Sequence, residues 1–235
     1  MKIGLFGYGK MGKMIEQIAV SRGHQIVEKI DIGTTQIDFE AMDVAIDFSM
    51  PDAAFNNISQ CFEHGVPVIS GTTGWHDNYD KAVQLCGQKN GAFIYSSNYS
   101  LGVYVFFELN TYLAKMMKNL KQYEVRMEEI HHTQKLDAPS GTAISLAADI
   151  LAHTDYKGWK LGEAEGDEIP ITAKRINDVP GTHTVAYQSK VDSIEIKHTA
   201  HNREGFALGA VIAAEWIVGK TGVFNMKDVL GFNHG

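Results

Sequence analysis

The chain is poor in cysteine and proline. Cys61 and Cys86 are its two cysteines among 235 residues, too few for a disulfide framework and without metal-site spacing. That usage suits a reducing compartment, so a cytoplasmic protein is expected. The five prolines form no linker, and low-complexity tracts and internal repeats are missing. The longest apolar stretch, 206–218, is too short and too interrupted to span a bilayer. The first residues lack the basic region and cleavage site of a secretory signal. Basic residues are also scarce: 21 against 28 acidic ones, for a net charge of -7. This excludes a general binder of nucleic acid or anionic membrane, both of which call for a basic surface. It leaves room for a local basic pocket facing a small anion.

What remains is an ordinary globular balance, 44% apolar and 21% charged, in a length suited to one large domain or two modest ones. Short apolar runs alternate with helical patterns over the first hundred residues. Strands are expected at Lys2–Phe6, Gln25–Ile30, 44–48, 66–69 and Ala92–Tyr95, and helices at Lys10–Ser21, Pro51–Glu63 and 77–88. Such alternation implies parallel βαβ units. The pattern then changes. A helix is expected at 104–118, then strands at 122–130, 170–175, 182–188 and 193–199, the last three with no helix between them. That predicts a mixed or antiparallel sheet in a second domain. The apolar helix at 206–218 is expected to return to the first. The fold class is therefore α/β: an N-terminal Rossmann-like parallel-sheet domain, 1–100 with 203–235, and a smaller α+β domain with a mixed sheet, 101–202.

After the first strand comes Gly7-Tyr8-Gly9-Lys10-Met11-Gly12, a G-x-G-x-x-G turn opening a helix. Gly7 permits the tight turn, Gly9 lets a pyrophosphate approach the backbone, and Gly12 allows close helix–strand packing. The phosphates would sit at the helix N-terminus. The same glycines also occur in tight turns that bind nothing. Asp31, 19 residues after Gly12, stands where a ribose-binding acid belongs and favours NADH over NADPH. Lys10 and Lys29 are nearby cations that would soften the preference. Two later turns follow strands of the same sheet: Gly71-Thr72-Thr73, and Ser96-Ser97-Asn98-Tyr99. Their amides and small side chains suit the nicotinamide end of a dinucleotide; ordinary turn chemistry is the alternative.

The most informative stretch runs from Glu129 to Ala143. His131, His132 and Lys135 are expected in a loop, and Ser140-Gly141-Thr142 at a helix start. Free amides there, with Lys135 on the same loop, make a site for an anionic substrate. Adjacent histidines on extended backbone point to opposite sides, so one addresses the substrate. Zinc is the rival reading, but it needs more ligands and no cysteine lies nearby. No metal is expected.

These residues also carry a resemblance. GYGKMG at Gly7–Gly12, IDFS at 46–49, SGTTG at 70–74, SSNYSLG at 96–102, HHTQKLDAPSGTA at 131–143, RINDVPGTHT at 175–184 and FNMKDVL at 224–230 are similar to the dihydrodipicolinate reductase family, nearly end to end. The resemblance implies NADH- or NADPH-dependent reduction of a cyclic imine dicarboxylate, 4-hydroxy-tetrahydrodipicolinate, in lysine and diaminopimelate biosynthesis. It implies acid–base roles for His131 and Lys135, and substrate binding by His132, Ser140, Gly141 and Thr142. Cofactor contacts would fall on Gly7 through Gly12, Asp31, Gly71 through Thr73, and Ser96 through Tyr99. A homotetramer built through the sheets of the substrate domain is implied as well. The turn is one residue shorter than in longer members, with Lys10 where arginine is common, and the stretch after Asp31 is short. Both departures bear on NADH against NADPH. An aspartate-type amino-acid dehydrogenase and a non-catalytic dinucleotide sensor would share the N-terminal half, but neither has reason to carry the His131–Thr142 stretch.

Overall fold

A computed structural model describes residues 1–232. The chain divides into two compact units: Met1–Leu101 together with the chain from Glu204 onward, and Gly102–Arg203. Residues 233–235 of the expected first domain lie outside the described residues.

The first unit holds a six-stranded parallel sheet of order β11-β5-β4-β3-β1-β2, with β1 Lys2–Phe6, β2 Gln25–Ile30, β3 Val44–Asp47, β4 Val68–Ser70, β5 Ala92–Tyr95 and β11 Gly222–Phe224. Its helices are α1 Lys10–Ser21, α2 Pro51–Glu63, α3 Tyr79–Gln88, α6 Glu204–Ile217 and α7 Met226–Leu230. The central strands β3 and β4 are buried throughout, and β1 from Ile3 onward, because both faces are covered, which is why they read as continuous apolar runs. Pro51 occupies the first turn of α2, where its missing N–H costs nothing. Residue 206 onward was expected to return here, and α6 packs on α1, β3, β4 and β5. Its alanines and glycines make that approach possible: a Cβ on Gly209 would stand 1.7 Å from the Tyr99 carbonyl oxygen. The strand expected at 66–69 begins at Val68, since the Val66 amide turns back to the Cys61 carbonyl. Strand β11 and helix α7 were not expected. Each is too short for periodicity to speak.

The second unit holds a five-stranded mixed sheet of order β10-β9-β6-β8-β7, with β6 Glu124–His131, β7 Gly158–Leu161, β8 Glu168–Arg175, β9 Gly181–Gln188 and β10 Ser193–Ala200. Central β6 runs antiparallel to β9 and parallel to β8. Helices α4 Leu101–Met117 and α5 Gly141–His153 bury Phe106, Ala114, Leu146 and Ile150 with Val125, Met127, Ile169, Ile171 and Val185. The mixed sheet matches the expectation; β7 was not expected. One correction matters for function. Strand β6 extends through His131, so this histidine sits on a strand of the sheet rather than in the loop after it.

Candidate active site

Strand order reverses between β1 and β3, and open α/β sheets bind ligands at such a switch point. A cleft of about 340 Å³ opens there, lined by Gly7, Tyr8, Gly9, Asp31, Phe48, Ser49 and Asn57, among others. The three glycines have separate reasons. Gly7 has φ +88, and a Cβ there would stand 2.2 Å from the Phe48 carbonyl oxygen. A Cβ on Gly12 would stand 2.3 Å from the Gly7 carbonyl oxygen. A Cβ on Gly9 would meet nothing within 4 Å, so packing does not require that glycine. It caps α1 without a side-chain bond to the first-turn amides of Lys10, Met11 and Gly12. Those amides lack intrahelical acceptors. Open space and uncapped amides fit a pyrophosphate.

Asp31 is exposed at the cleft and accepts the Ile32 amide at 2.9 Å. Of the two neighbouring cations, Lys29 is engaged: its Nζ lies 2.7 Å from Glu16 and 3.0 Å from the Tyr8 hydroxyl. Lys10 is exposed.

The two later turns are built differently from expectation. Thr72 is buried, its hydroxyl donating to Asp47 at 2.7 Å and accepting the Ser49 amide at 2.9 Å. A Cβ on Gly71 would strike the Phe48 ring at 2.2 Å. Asp47 also accepts from Ser49, Ser70 and Asn57, at 2.6, 2.7 and 3.2 Å. Burial pushes its carboxyl above the usual range against these donors. This knot ties the ends of β3 and β4 to α2. Tyr99 is buried too, its hydroxyl donating to the Ser70 carbonyl at 2.9 Å, while Ser96 and Asn98 bond each other in their turn. Thr73 and Ser97 are exposed or partly so. The side chains of Thr72 and Tyr99 hold the loops in shape, and Ser96 through Tyr99 do not line the cleft at Gly7.

In the second unit, alternation along β6 points Val125, Met127, Glu129 and His131 inward. Glu129 is fully buried. It accepts the Ser140 amide at 3.1 Å and Arg175 Nη2 at 3.0 Å. His131 Nδ1 lies 3.2 Å from Glu129 Oε2, close enough for an ion pair but off the line of a hydrogen bond. Burial would raise the Glu129 carboxyl, yet His131, Ser140 and Arg175 together hold it down at about 2. Arg175 also donates to the Lys135 and Asp137 carbonyls, at 3.3 and 2.6 Å. Lys135 Nζ meets both oxygens of Asp137 at 2.8 Å.

Ser140 caps α5. Its hydroxyl accepts the Ala143 amide at 3.2 Å and pairs with His183 Nε2 at 3.1 Å. Since Ser140 is buried and its hydroxyl committed, the first-turn amides left for an anion are those of exposed Gly141 and half-buried Thr142. His183 lies directly across from Glu129 on β9, its ring 5.0 Å from that of His131. Burial, then the neighbouring His131, pushes it down to about 4. His132, on the opposite side of the backbone from His131, lines a second cavity of about 230 Å³ with Asn177, Asp178 and Arg203. The Nδ1 atoms of His131, His132 and His183 are all buried without a hydrogen-bond partner, a concentration of unsatisfied groups typical of a functional site.

Glu129, His131 and His183 present one ligand atom each within 4.8 Å, more than the sequence offered toward a metal. Arg175 and the Ser140 amide already occupy the two carboxylate oxygens, so a cation there would face a guanidinium. Sequence reasoning assigned no role to Asp47, Glu129, Arg175 or His183. The signal for Glu129 is a carboxylate at the third inward position of a strand whose first two are Val125 and Met127. Arg175 and His183 both lie in the motif RINDVPGTHT at 175–184, which carried the resemblance but gave neither a role.

Known proteins match this arrangement along the whole chain. Residues 1–99 match the family described as dihydrodipicolinate reductase, N-terminus, and residues 102–230 that described as dihydrodipicolinate reductase, C-terminus. A 4-hydroxy-tetrahydrodipicolinate reductase of Christiangramia forsetii is 60% identical over 233 residues, covering 98% of each chain. Its namesake from Methanosarcina acetivorans is 40% identical, over 97% of this chain and 89% of the other. A dipicolinate-bound dihydrodipicolinate reductase from Paenisporosarcina sp. TG-14 shares the fold at TM-score 0.77 and 21% identity, over 96% and 97% of the two chains.

Proposed function

The chain belongs to the dihydrodipicolinate reductase family, and on that premise we propose that it reduces 4-hydroxy-tetrahydrodipicolinate with NADH or NADPH, in the branch leading to lysine and diaminopimelate. The observation that carries the reading is Lys135 on the short segment that leads into the open start of α5: a cation and two amide donors, at Gly141 and Thr142, in one compact unit. That combination suits a carboxylate, and dipicolinate, the ligand of the Paenisporosarcina protein, is a cyclic dicarboxylate.

The first unit holds the cofactor, with Gly7 through Gly12 on the pyrophosphate and Asp31 on the adenosine ribose. Gly71 through Thr73 and Ser96 through Tyr99 act toward the nicotinamide, chiefly through backbone and loop shape. When bound, the dihydronicotinamide supplies a hydride. Lys135 exchanges Asp137 for a substrate carboxylate, while the amides of Gly141 and Thr142, with His132, hold and orient the ring. Ser140 shapes this site from within. The 4-hydroxyl leaves as water, so the hydride enters the carbon end of a conjugated imine, and the resulting enamine-like species takes a proton on carbon. His131 supplies it in its charged form, with Lys135 assisting. Asp31 repels a 2′-phosphate and Lys29 is spent on Glu16, so NADH is preferred.

The enzyme is a cytoplasmic homotetramer in this reading. Both cysteines are free and buried, and no helix among the described residues is long and apolar enough to cross a membrane. The second unit carries an apolar face for assembly: Val105, Leu109, Tyr112 and Met116 form an exposed stripe along α4. Light scattering tests the tetramer. The activity is tested by supplying the condensation product of pyruvate and aspartate semialdehyde and following NADH absorbance. A steady fall is expected. NADH binding without turnover would instead mark a dinucleotide sensor.

A further inference from the structure

The buried carboxylate of Glu129 has no place in the chemistry above, yet three parts of the substrate site depend on it. It lies on central strand β6, at a position where Val125 and Met127 before it are ordinary core residues. A hydrophobic side chain there would be easier to bury, because a carboxylate gives up its hydration and regains it only through well-placed partners. Glu129 has such partners, and each belongs to a different segment. Oε1 takes Arg175 Nη2 at 3.0 Å, and Oε2 takes the Ser140 amide at 3.1 Å. His131 Nδ1 stands 3.2 Å from Oε2, and His183 Nε2 3.9 Å from it. Arg175 carries the connection onward to the carbonyls of Lys135 and Asp137.

We infer that Glu129 is a positioning residue, the anchor that sets the His131 ring, the main chain beneath Lys135 and the start of α5 in register with one another. The inference rests on the proposed acid role of His131. It adds a specific consequence. A carboxylate 3.2 Å from Nδ1 favours, through its charge rather than an aligned hydrogen bond, the neutral ring form with its proton on Nδ1, leaving Nε2 as the atom that gains and donates the catalytic proton. Nε2 lies over Gly181, where an added Cβ would be 3.1 Å away, so a glycine leaves the space this nitrogen occupies.

The test is Glu129→Gln, which keeps the shape and an acceptor for Ser140 but removes the charge. In the wild-type protein, ¹⁵N NMR of the neutral His131 ring should show Nδ1 protonated and Nε2 bare. In the variant this preference should be lost. Its kcat should fall roughly 10–100-fold, less than the ~10²–10⁴-fold a general acid itself contributes because Glu129 only positions it, while NADH affinity, a property of the first unit, stays unchanged. Glu129→Asp retains the charge and should recover the ring signature in part, which keeps the test open if the glutamine variant folds poorly. A wild-type ring protonated on Nε2, or a folded Glu129→Gln protein with wild-type ring signature and kcat, would overturn the inference. Absence of turnover in the wild-type enzyme would instead remove the proposed function, and the ring form would still be read directly.

Discussion

Lys135 and Asp137 hold each other in a two-pronged ion pair, Nζ 2.8 Å from each carboxylate oxygen. Asp137 is exposed, and the pairing with Lys135 holds its carboxyl below the usual range. The aspartate thus occupies the cation that a substrate carboxylate is proposed to take. An exposed pair is worth about 0.2–1 kcal/mol, so the competition is mild. Asp137→Asn should lower KM for the dicarboxylate about 2–5-fold with kcat little changed. Lys135→Ala should raise KM and lower kcat together. Steady-state kinetics of the two variants provides the check, and a rise in KM for Asp137→Asn would show that the aspartate positions the lysine rather than masking it.

Gly9 and Gly12 separate ligand contact from packing. Gly12→Ala forces a Cβ to 2.3 Å from a backbone oxygen that cannot step aside, and should destabilise the first unit by about 1–3 kcal/mol. Gly9→Ala meets open space. Its melting temperature should stay close to wild type while NADH affinity drops at least about tenfold, since the methyl stands where the pyrophosphate approaches. Thermal melts with fluorescence titration of NADH compare the pair. Undiminished NADH binding by Gly9→Ala would remove the pyrophosphate from this turn.

Among the described residues, Asp31 is the one carboxylate lining the cleft at Gly7. Replacing it with serine should raise kcat/KM for NADPH relative to NADH by roughly tenfold, the size of one screened charge repulsion. Glu16→Gln should push the same way more weakly by releasing Lys29. Wild-type kinetics with a strong NADPH preference would refute the assignment.

Two groups in the second unit set an acid limit on stability. His183 is held down at about 4 against 6.5 for an ordinary histidine, so the unfolded chain binds more protons between those values. Stability is therefore fully present above pH 6.5 and falls as pH drops toward 4, by at most about 3 kcal/mol. Glu129, at about 2 against 4.5, adds a second loss below pH 4.5. Denaturant unfolding at several pH values should show this slope, and His183→Gln should flatten the upper part. An unchanged slope in that variant would mean that another group titrates.

Much of the frame was legible in the chain itself. Periodicity located β1 to β5 and the longer helices of the first unit, though not β11 or α7, because a helix face and a buried strand leave local signatures within ten residues. The glycines at 7, 9 and 12 and the capping serine at 140 announced their turns for the same reason: backbone freedom and local capping are properties of a few neighbouring residues. The sequence alone thus determined the fold class, the glycine turn that opens α1 and the start of α5. Tertiary structure decided what the polar side chains between them do. Thr72 and Tyr99 turned inward because the sheet brought Asp47 and the Ser70 carbonyl to them, and His131 stayed on its strand because β8 still pairs there, with Arg175 opposite it. Glu129, Ser140, Arg175 and His183 come from four separate segments. No local pattern links them, and only the register of β6 against β8 and β9, with α5 packed beside it, makes them one network.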